Sequence, residues 1–308
     1  MRPVRLLPLF KDRPWGVQNL APWFEDVSAD TPIGEAWFTS NENQLAGGGT
    51  LGDLIGRAPA AVLGRDTGER SLPLLVKLLF TSERLSVQVH PDDRYAGQHH
   101  GSRGKTEAWQ VLEATAAAHL GLGFTRELAR DEASRAALTG DIEHLLDWRP
   151  TRAGDTWLVP AGTVHALGGG LTILEVQEQS DITYRLYDYG RPRQLHLDRG
   201  FEVAQLTPYA VDNTHAALGP HRERLTTCTY FTLERWSSVD ALAFRAGEPF
   251  YHVLVVTAGH GTLAGEQTRP GDVWLVPAAS TGFTANLDAG EIVLAYTAPE
   301  PTRAFGIA

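Results

Sequence analysis

The sequence has one cysteine, Cys228. A lone cysteine closes no internal disulfide and builds no Cys-type structural zinc centre, and this usage fits a reducing compartment. Long apolar runs are missing too, and none approaches the length needed to span a bilayer. Near the N-terminus the short run Leu6 to Phe10 meets Lys11, Asp12, Arg13 and Pro14, which fits neither a signal peptide nor a spanning helix. The expectation is a cytoplasmic protein with no membrane partner. Basic residues are outnumbered, 27 Lys and Arg against 37 Asp and Glu, for a formal charge of -10. That argues against nucleic acid as a partner, which requires a basic footprint. It leaves room for an anionic small molecule, because a site can be locally positive in an acidic protein.

What the chain has in quantity is punctuation. Thirty-one glycines and eighteen prolines divide many short apolar runs, the texture of a β-sandwich or barrel. Strands are expected over 35–40, 74–79, 85–90, 107–112, 156–159, 171–177, 231–236, 252–257 and 273–276. Thr50 reads as the cap of a short helix with Asp53 at its third position. A helical insert is expected at about 125–148, made of a segment capped by Thr125 and stopped by Gly140, then 141–148. AGDTWLVPA at 153–161 recurs as PGDVWLVPA at 270–278, identical from the glycine to the final alanine at every position but one. The match implies two copies of one β unit. His165 in the first copy corresponds to Gly282 in the second, so the second keeps the scaffold and lacks that ligand. The expected division is a working unit over 1–215 and a structural unit over 216–308.

Gly154, Pro160, Gly162 and His165 form a G-x5-P-x-G-x2-H pattern. It resembles the second signature of the cupin family, whose jelly roll hides its sheet edges. The fold class expected is therefore mainly β, two cupin-like jelly-roll units with a small helical insertion in the first. In LSVQVHPDD (85–93), strand alternation puts Ser86, Gln88 and His90 on one face and Val87 and Val89 on the other. Glu107 follows, with Lys105 two residues earlier on the same side. Two imidazoles, a carboxylate and an amide oxygen suit Zn2+ or another divalent first-row metal. The competing reading is a polar strand face open to solvent. His99 and His100 read as solvated residues of a Gly-rich loop, and His252 as a packed or surface histidine.

After His165 the chain becomes unusually polar. Glu175, Gln177 and Gln179 share a strand face, and Arg185 follows between Tyr184 and Leu186. Alone, this run fits a cavity wall and a solvated sheet equally well. The ordered motifs WG (15–16), GEAWFTS (34–40), LPLLVKLL (72–79), LSVQVHPDD (85–93), GKTEAW (104–109), VPAGTVHAL (159–167) and EVQEQSDITYRLYDYGR (175–191) together resemble the type I mannose-6-phosphate isomerases, or phosphomannose isomerases, in their shorter bacterial form.

The resemblance implies an aldose–ketose isomerase with zinc on Gln88, His90, Glu107 and His165, and Arg185 as the catalytic arginine. It also puts Ser86, Lys77, Lys105 and Asp181 near a sugar phosphate. Lys105 and Asp181 are the expected proton shuttles, with His90 a further one only where it is not permanently metal-bound, and Ser86 and Lys77 are the expected substrate contacts. One departure is Glu178, where family members often carry a second glutamine; parity puts it off the inward face. The rival readings are an isomerase of an unphosphorylated sugar such as mannose, an iron-dependent cupin dioxygenase, and a sugar-binding cupin module without turnover.

Overall fold

The computed structural model describes residues 1–25, 27–64, 68–210, 214–245 and 249–307. It is mainly β, built of antiparallel sheets. Six strands lie side by side in the order Leu9–Asn19, Ser28–Trp37, Leu74–Thr81, Leu171–Glu178, Glu107–Ala114 and Thr156–Val159. Five more form a second sheet in the order Tyr184–Tyr187, Val87–Val89, His165–Leu167, His119–Phe124 and Leu146–Pro150. The two face each other as a jelly roll over an apolar cluster that includes Trp15, Leu79, Trp109, Leu120, Leu122, Val159 and Ile173.

Strand alternation places the site. In Leu171–Glu178 every residue is buried, which happens only when both faces of a sheet are covered. Ile173 packs between the two sheets of the jelly roll. Leu174 and Val176 pack outward, in one core with Leu233, Val253, Val255, Val273, Leu275 and Val293 of the C-terminal ten-stranded sheet. The first strand, Val4–Leu6, joins that C-terminal sheet, pairing with Val273–Val276. Sequence order therefore does not sort the strands cleanly between the two units.

Thr50 caps helix Leu51–Arg57 as expected. Its Oγ1 accepts the Asp53 N–H at 3.1 Å, and Asp53 Oδ2 accepts the Thr50 N–H at 3.2 Å. Thr50→Ala removes one half of this reciprocal cap and is expected to lower the unfolding free energy by about 1 kcal/mol, measurable by chemical denaturation.

The insert differs from expectation. Its main helix is Arg130–Thr139, and the helix cap Ala129 makes no side-chain bond, so Thr125 is not the cap. Gly140 does stop it, in the left-handed region at φ 90°. Ile142–Leu145 forms one further turn, after which Leu146–Pro150 is an edge strand. The sequence reading also missed helix Asp93–His100, which is capped by Asp92, whose carboxylate accepts the Tyr95 N–H at 2.8 Å, and closed by Gly101. His99 and His100 end that helix. His100 Nε2 lies 2.6 Å from the Tyr184 hydroxyl. Among the described residues no helix is long and apolar enough to cross a membrane.

The repeat is deeper in three dimensions than the shared string. Asp155 Oδ2 accepts from Arg152 N and Thr151 Oγ1, and Asp272 Oδ2 accepts from Arg269 N and Thr268 Oγ1. Trp157 Nε1 donates to Thr151 Oγ1 and Trp274 Nε1 to Thr268 Oγ1. Gly154 and Gly271 take the same positive φ, 94° and 92°. In the first copy Val159 pairs with Glu107; in the second Val276 pairs with His252. His252 thus stands where the first unit has its carboxylate. It is fully buried with Nε2 2.9 Å from Thr302 Oγ1, and desolvation holds it neutral, with a pKa of about 3.

Candidate active site and metal centre

One rung of the five-stranded sheet assembles half of the site. Arg185 pairs with Gln88, and Gln88 pairs with His165, so three residues far apart in sequence stand side by side. Val87 and Val89 point the other way, into an apolar layer with Ala133, Ala137 and Phe201 of the covering helices. His90 follows the strand end. Gly162, at φ 86°, shapes the turn into His165, and its N–H donates to the His90 carbonyl at 2.8 Å. That bond ties the two histidine-bearing segments together. Glu107 arrives from the opposite sheet, so the cluster bridges the jelly roll.

The donor atoms converge. His90, Glu107 and His165 offer ligand atoms within 4.8 Å of one another, and all three residues are buried. His165 Nε2 lies 3.3 Å from Glu107 Oε1, and His90 Nε2 3.5 Å from Glu107 Oε2. Each imidazole turns Nδ1 to a backbone carbonyl at 2.9 Å, His90 to Ile182 and His165 to Thr163. This sets the proton on Nδ1 and leaves both Nε2 lone pairs facing the centre. Burial depresses both rings, His165 to about 4 and His90 well below its ordinary value, so both are neutral donors near pH 7. The Gln88 amide reaches 3.2 Å from His165 Nε2 and is held by the Ser86 hydroxyl, which donates to Gln88 Oε1 at 3.1 Å. Turning the amide over exchanges its oxygen and nitrogen without changing its shape.

A cation already sits at these donors. The Lys105 ammonium donates to Glu107, lies 3.0 Å from His90 Nε2 and donates to Glu175 at 3.3 Å. Burial alone would push Lys105 down; Glu107 and Glu175 outweigh it and hold the amine above its usual range. The donor types, their fixed tautomers and this stabilised cation fit a divalent metal, and the His90–Glu107–His165 group can hold one.

Above the cluster opens a cavity of about 450 Å3. Ser86, Gln88, Lys77, Lys105, Glu107, Asp181 and Arg185 all line it, so the structure brings these sequence candidates to one place. His90 and His165 lie beneath them, each 1% exposed. Sequence reasoning missed several neighbours. Glu175, read only as part of a polar strand face, sits between Lys77 at 3.9 Å and Lys105, and burial pushes its carboxyl up against both ammonium charges. Trp37 carries Lys77 on its ring at 4.8 Å. Arg13 grips Glu35 with two bonds, at 2.9 and 3.2 Å. Burial raises Glu35, but Lys77 and Arg13 outweigh this and keep it below the usual carboxylate range. Arg193 is held by buried Asp188.

Arg185 differs from its neighbours Arg13 and Arg193 in bonding no carboxylate among the described residues. Nη1 donates to the Gln194 carbonyl at 2.9 Å, and buried Nε has no acceptor among the described residues. Its main chain exchanges two bonds with His196: the Arg185 N–H donates to His196 Nδ1 at 3.2 Å, and the His196 N–H donates to the Arg185 carbonyl at 2.7 Å. Burial, then the Arg193 charge, with a smaller push from Arg13, lower its pKa. A guanidinium nonetheless stays charged in a protein. An anion arriving beside it relieves this like-charge crowding.

Known proteins resemble this chain over most of its length. Residues 5–109 match the family model for the phosphomannose isomerase type I catalytic domain. The mannose-6-phosphate isomerase ManA of Bacillus subtilis (strain 168) is 33% identical over 298 residues, covering 89% of this chain and 93% of the relative. The crystal structure of the mannose 6-phosphate isomerase from Bacillus subtilis superposes with a TM-score of 0.86 at 30% identity, over 96% of this chain and 99% of that one. A mannose 6-phosphate isomerase structure bound with zinc and yttrium shares the fold at a TM-score of 0.78 and 16% identity, over 96% and 100% of the two chains. The chain belongs to the type I phosphomannose isomerase family.

Proposed function

We propose that the enzyme interconverts mannose 6-phosphate and fructose 6-phosphate by moving a proton between C1 and C2 through an enediolate. The observation that carries this reading is the single rung that sets Arg185 beside Gln88 and His165, at the wall of a cavity also lined by Lys105 and Asp181. The metal would be held by Gln88, His90, Glu107 and His165, with zinc favoured by the nitrogen and oxygen donors. When bound, it supplies Lewis acidity toward the substrate oxygens.

The chain's own residues do the rest. Arg185 offers a fixed positive charge where negative charge develops on the substrate. Lys105 and Asp181, which both line the cavity, are the groups proposed to carry the proton. Ser86 and Lys77 bind sugar oxygens. Arg193 and Arg13 both act electrostatically on Arg185, and the combined charge of the three favours a phosphate at that end of the cavity. The working unit is proposed to span 1–215 and the second unit, 216–308, to cover the outer face of its sheet.

Turnover of mannose 6-phosphate and of free mannose, compared on the zinc-loaded enzyme, tests the substrate. A kcat/KM strongly favouring the phosphorylated sugar is expected. Equal values for the two sugars would remove the phosphate from this reading and leave an isomerase of free sugars.

A further inference from the structure

Gly104, Lys105 and Thr106 lie outside every strand, in the approach to Glu107. All three of their N–H groups are nevertheless taken. Gly104 donates to Asp93 Oδ1 at 2.8 Å, Lys105 to the Pro91 carbonyl at 3.0 Å and Thr106 to Glu178 Oε2 at 2.9 Å. The Glu178 N–H in turn donates to the Thr106 carbonyl at 3.1 Å. Two carboxyl side chains thus stand in for the missing sheet partner on either side of Lys105.

Glu178 does not line the cavity. Strand alternation turns it to the outer face of the sheet, yet it is 1% exposed because the C-terminal unit covers that face. A buried ionised carboxylate is costly without donors, and Glu178 Oε1 has none among the described residues. The groups around it are few. Asp93 comes from helix Asp93–His100. Arg103, which is paired with Glu69, comes from the preceding loop. Tyr230 comes from the C-terminal unit with Cys228 close by; burial, then the charges of Glu178 and Asp93, with smaller pushes from Cys228 and Asp92, raise it to about 12, so it stays neutral. Burial, against the Thr106 N–H, and then the Asp93 charge push Glu178 up to about 8.

We propose that Glu178 and Asp93 form a carboxyl clamp that positions Lys105, with a proton on Glu178 donated to Asp93 while the remaining oxygens hold the Thr106 and Gly104 N–H groups. The clamp delivers the Lys105 ammonium to His90, Glu107 and Glu175 from behind the sheet. The inference rests on the reading that Lys105 acts on the substrate. Its pH dependence has a definite sign. Below about pH 8 Glu178 keeps its proton and the clamp closes; above it two anions face each other and the segment loosens, so activity falls on the alkaline side.

The test uses the full-length, zinc-loaded enzyme. Glu178→Ala is expected to keep its zinc and its KM while kcat drops about 100-fold, the scale of a misplacement near 1 Å. Glu178→Gln is expected to recover most of that loss, since its amide oxygen accepts from Thr106 and its NH2 donates to Asp93. It is also expected to lose the activity decline expected of the unmodified enzyme through pH 8. If Glu178→Ala does not fold, the comparison of pH profiles still decides. Lys105→Met separates the two readings: activity retained there sinks the role of Lys105. An inactive Lys105→Met beside a Glu178→Ala of unchanged kcat, or a Glu178→Gln with the same alkaline decline, overturns the clamp alone.

Discussion

His165→Ala is expected to purify folded, to lose bound zinc on dialysis and to retain less than about 1% of activity. Even partners behind a metal ligand are worth 10- to 100-fold in affinity or activity, so a direct ligand is worth more. His165 is the informative ligand to remove. Its ring is held neutral by burial, so truncation strands no unpaired charge. Glu107→Ala would instead leave the buried Lys105 ammonium short of a partner, and a broken buried pair costs about 3–5 kcal/mol in its own right. The missing ring is also bounded on one side by Trp109, whose centroid is 5.3 Å away, and the site can hold water in its place. Metal content by mass spectrometry, turnover and a melting curve on one preparation make the comparison. Stoichiometric zinc and normal turnover in His165→Ala would refute the ligand set.

The parts of the site legible in the sequence are those fixed by local periodicity. Alternation alone puts Ser86, Gln88 and His90 on one face, and the turn at Gly162 aims His165. The parts that were not legible depend on pairings between distant segments. Arg13 reaches the cavity because it pairs with Glu35 across two neighbouring strands, and Arg193 because buried Asp188 holds its loop. Neither has a motif of its own.

Glu178 shows the limit of parity most clearly. Alternation tells which face a residue takes, and here it turns Glu178 away from the cavity. It does not tell whether a second unit covers that face. In Leu171–Glu178 one does, and a residue dismissed as outward is among the most buried acids of the described residues. The fold itself was easier, because short apolar runs between glycines and prolines mark strands well. Helix Asp93–His100 escaped notice because its polar face dominates: Ala96 is its only buried residue. The first three residues of the strand Leu146–Pro150 read as helix because they follow a helical turn without a break. The place of Val4–Leu6 in the C-terminal sheet comes from a partner some 270 residues away, which no local pattern encodes.

Arg185→Ala is expected to lower kcat by about 100- to 1,000-fold, the usual cost of removing one preorganised donor from a developing anion, while zinc content stays unchanged. Arg185 is separable from the ligands because its neighbour Gln88 is fixed independently by Ser86 and by pairing with His165. Arg185→Lys is not expected to restore activity. The guanidinium is placed by Nη1 on the Gln194 carbonyl, with the backbone locked to His196; a lysine has neither the planar fork nor the same reach. Steady-state kinetics distinguish two roles for the charge. A fall in kcat with KM nearly constant means that the charge acts on the transition state. A rise in KM with kcat intact means that Arg185 only holds the substrate anion, and the stabilising role would pass to another cation in the cavity. The pairing around Arg185 favours the first result: Arg13 is engaged by Glu35 and Arg193 by Asp188, whereas the Arg185 side chain bonds only the Gln194 carbonyl among the described residues, so of the three its charge is the one left to answer charge that forms during the reaction.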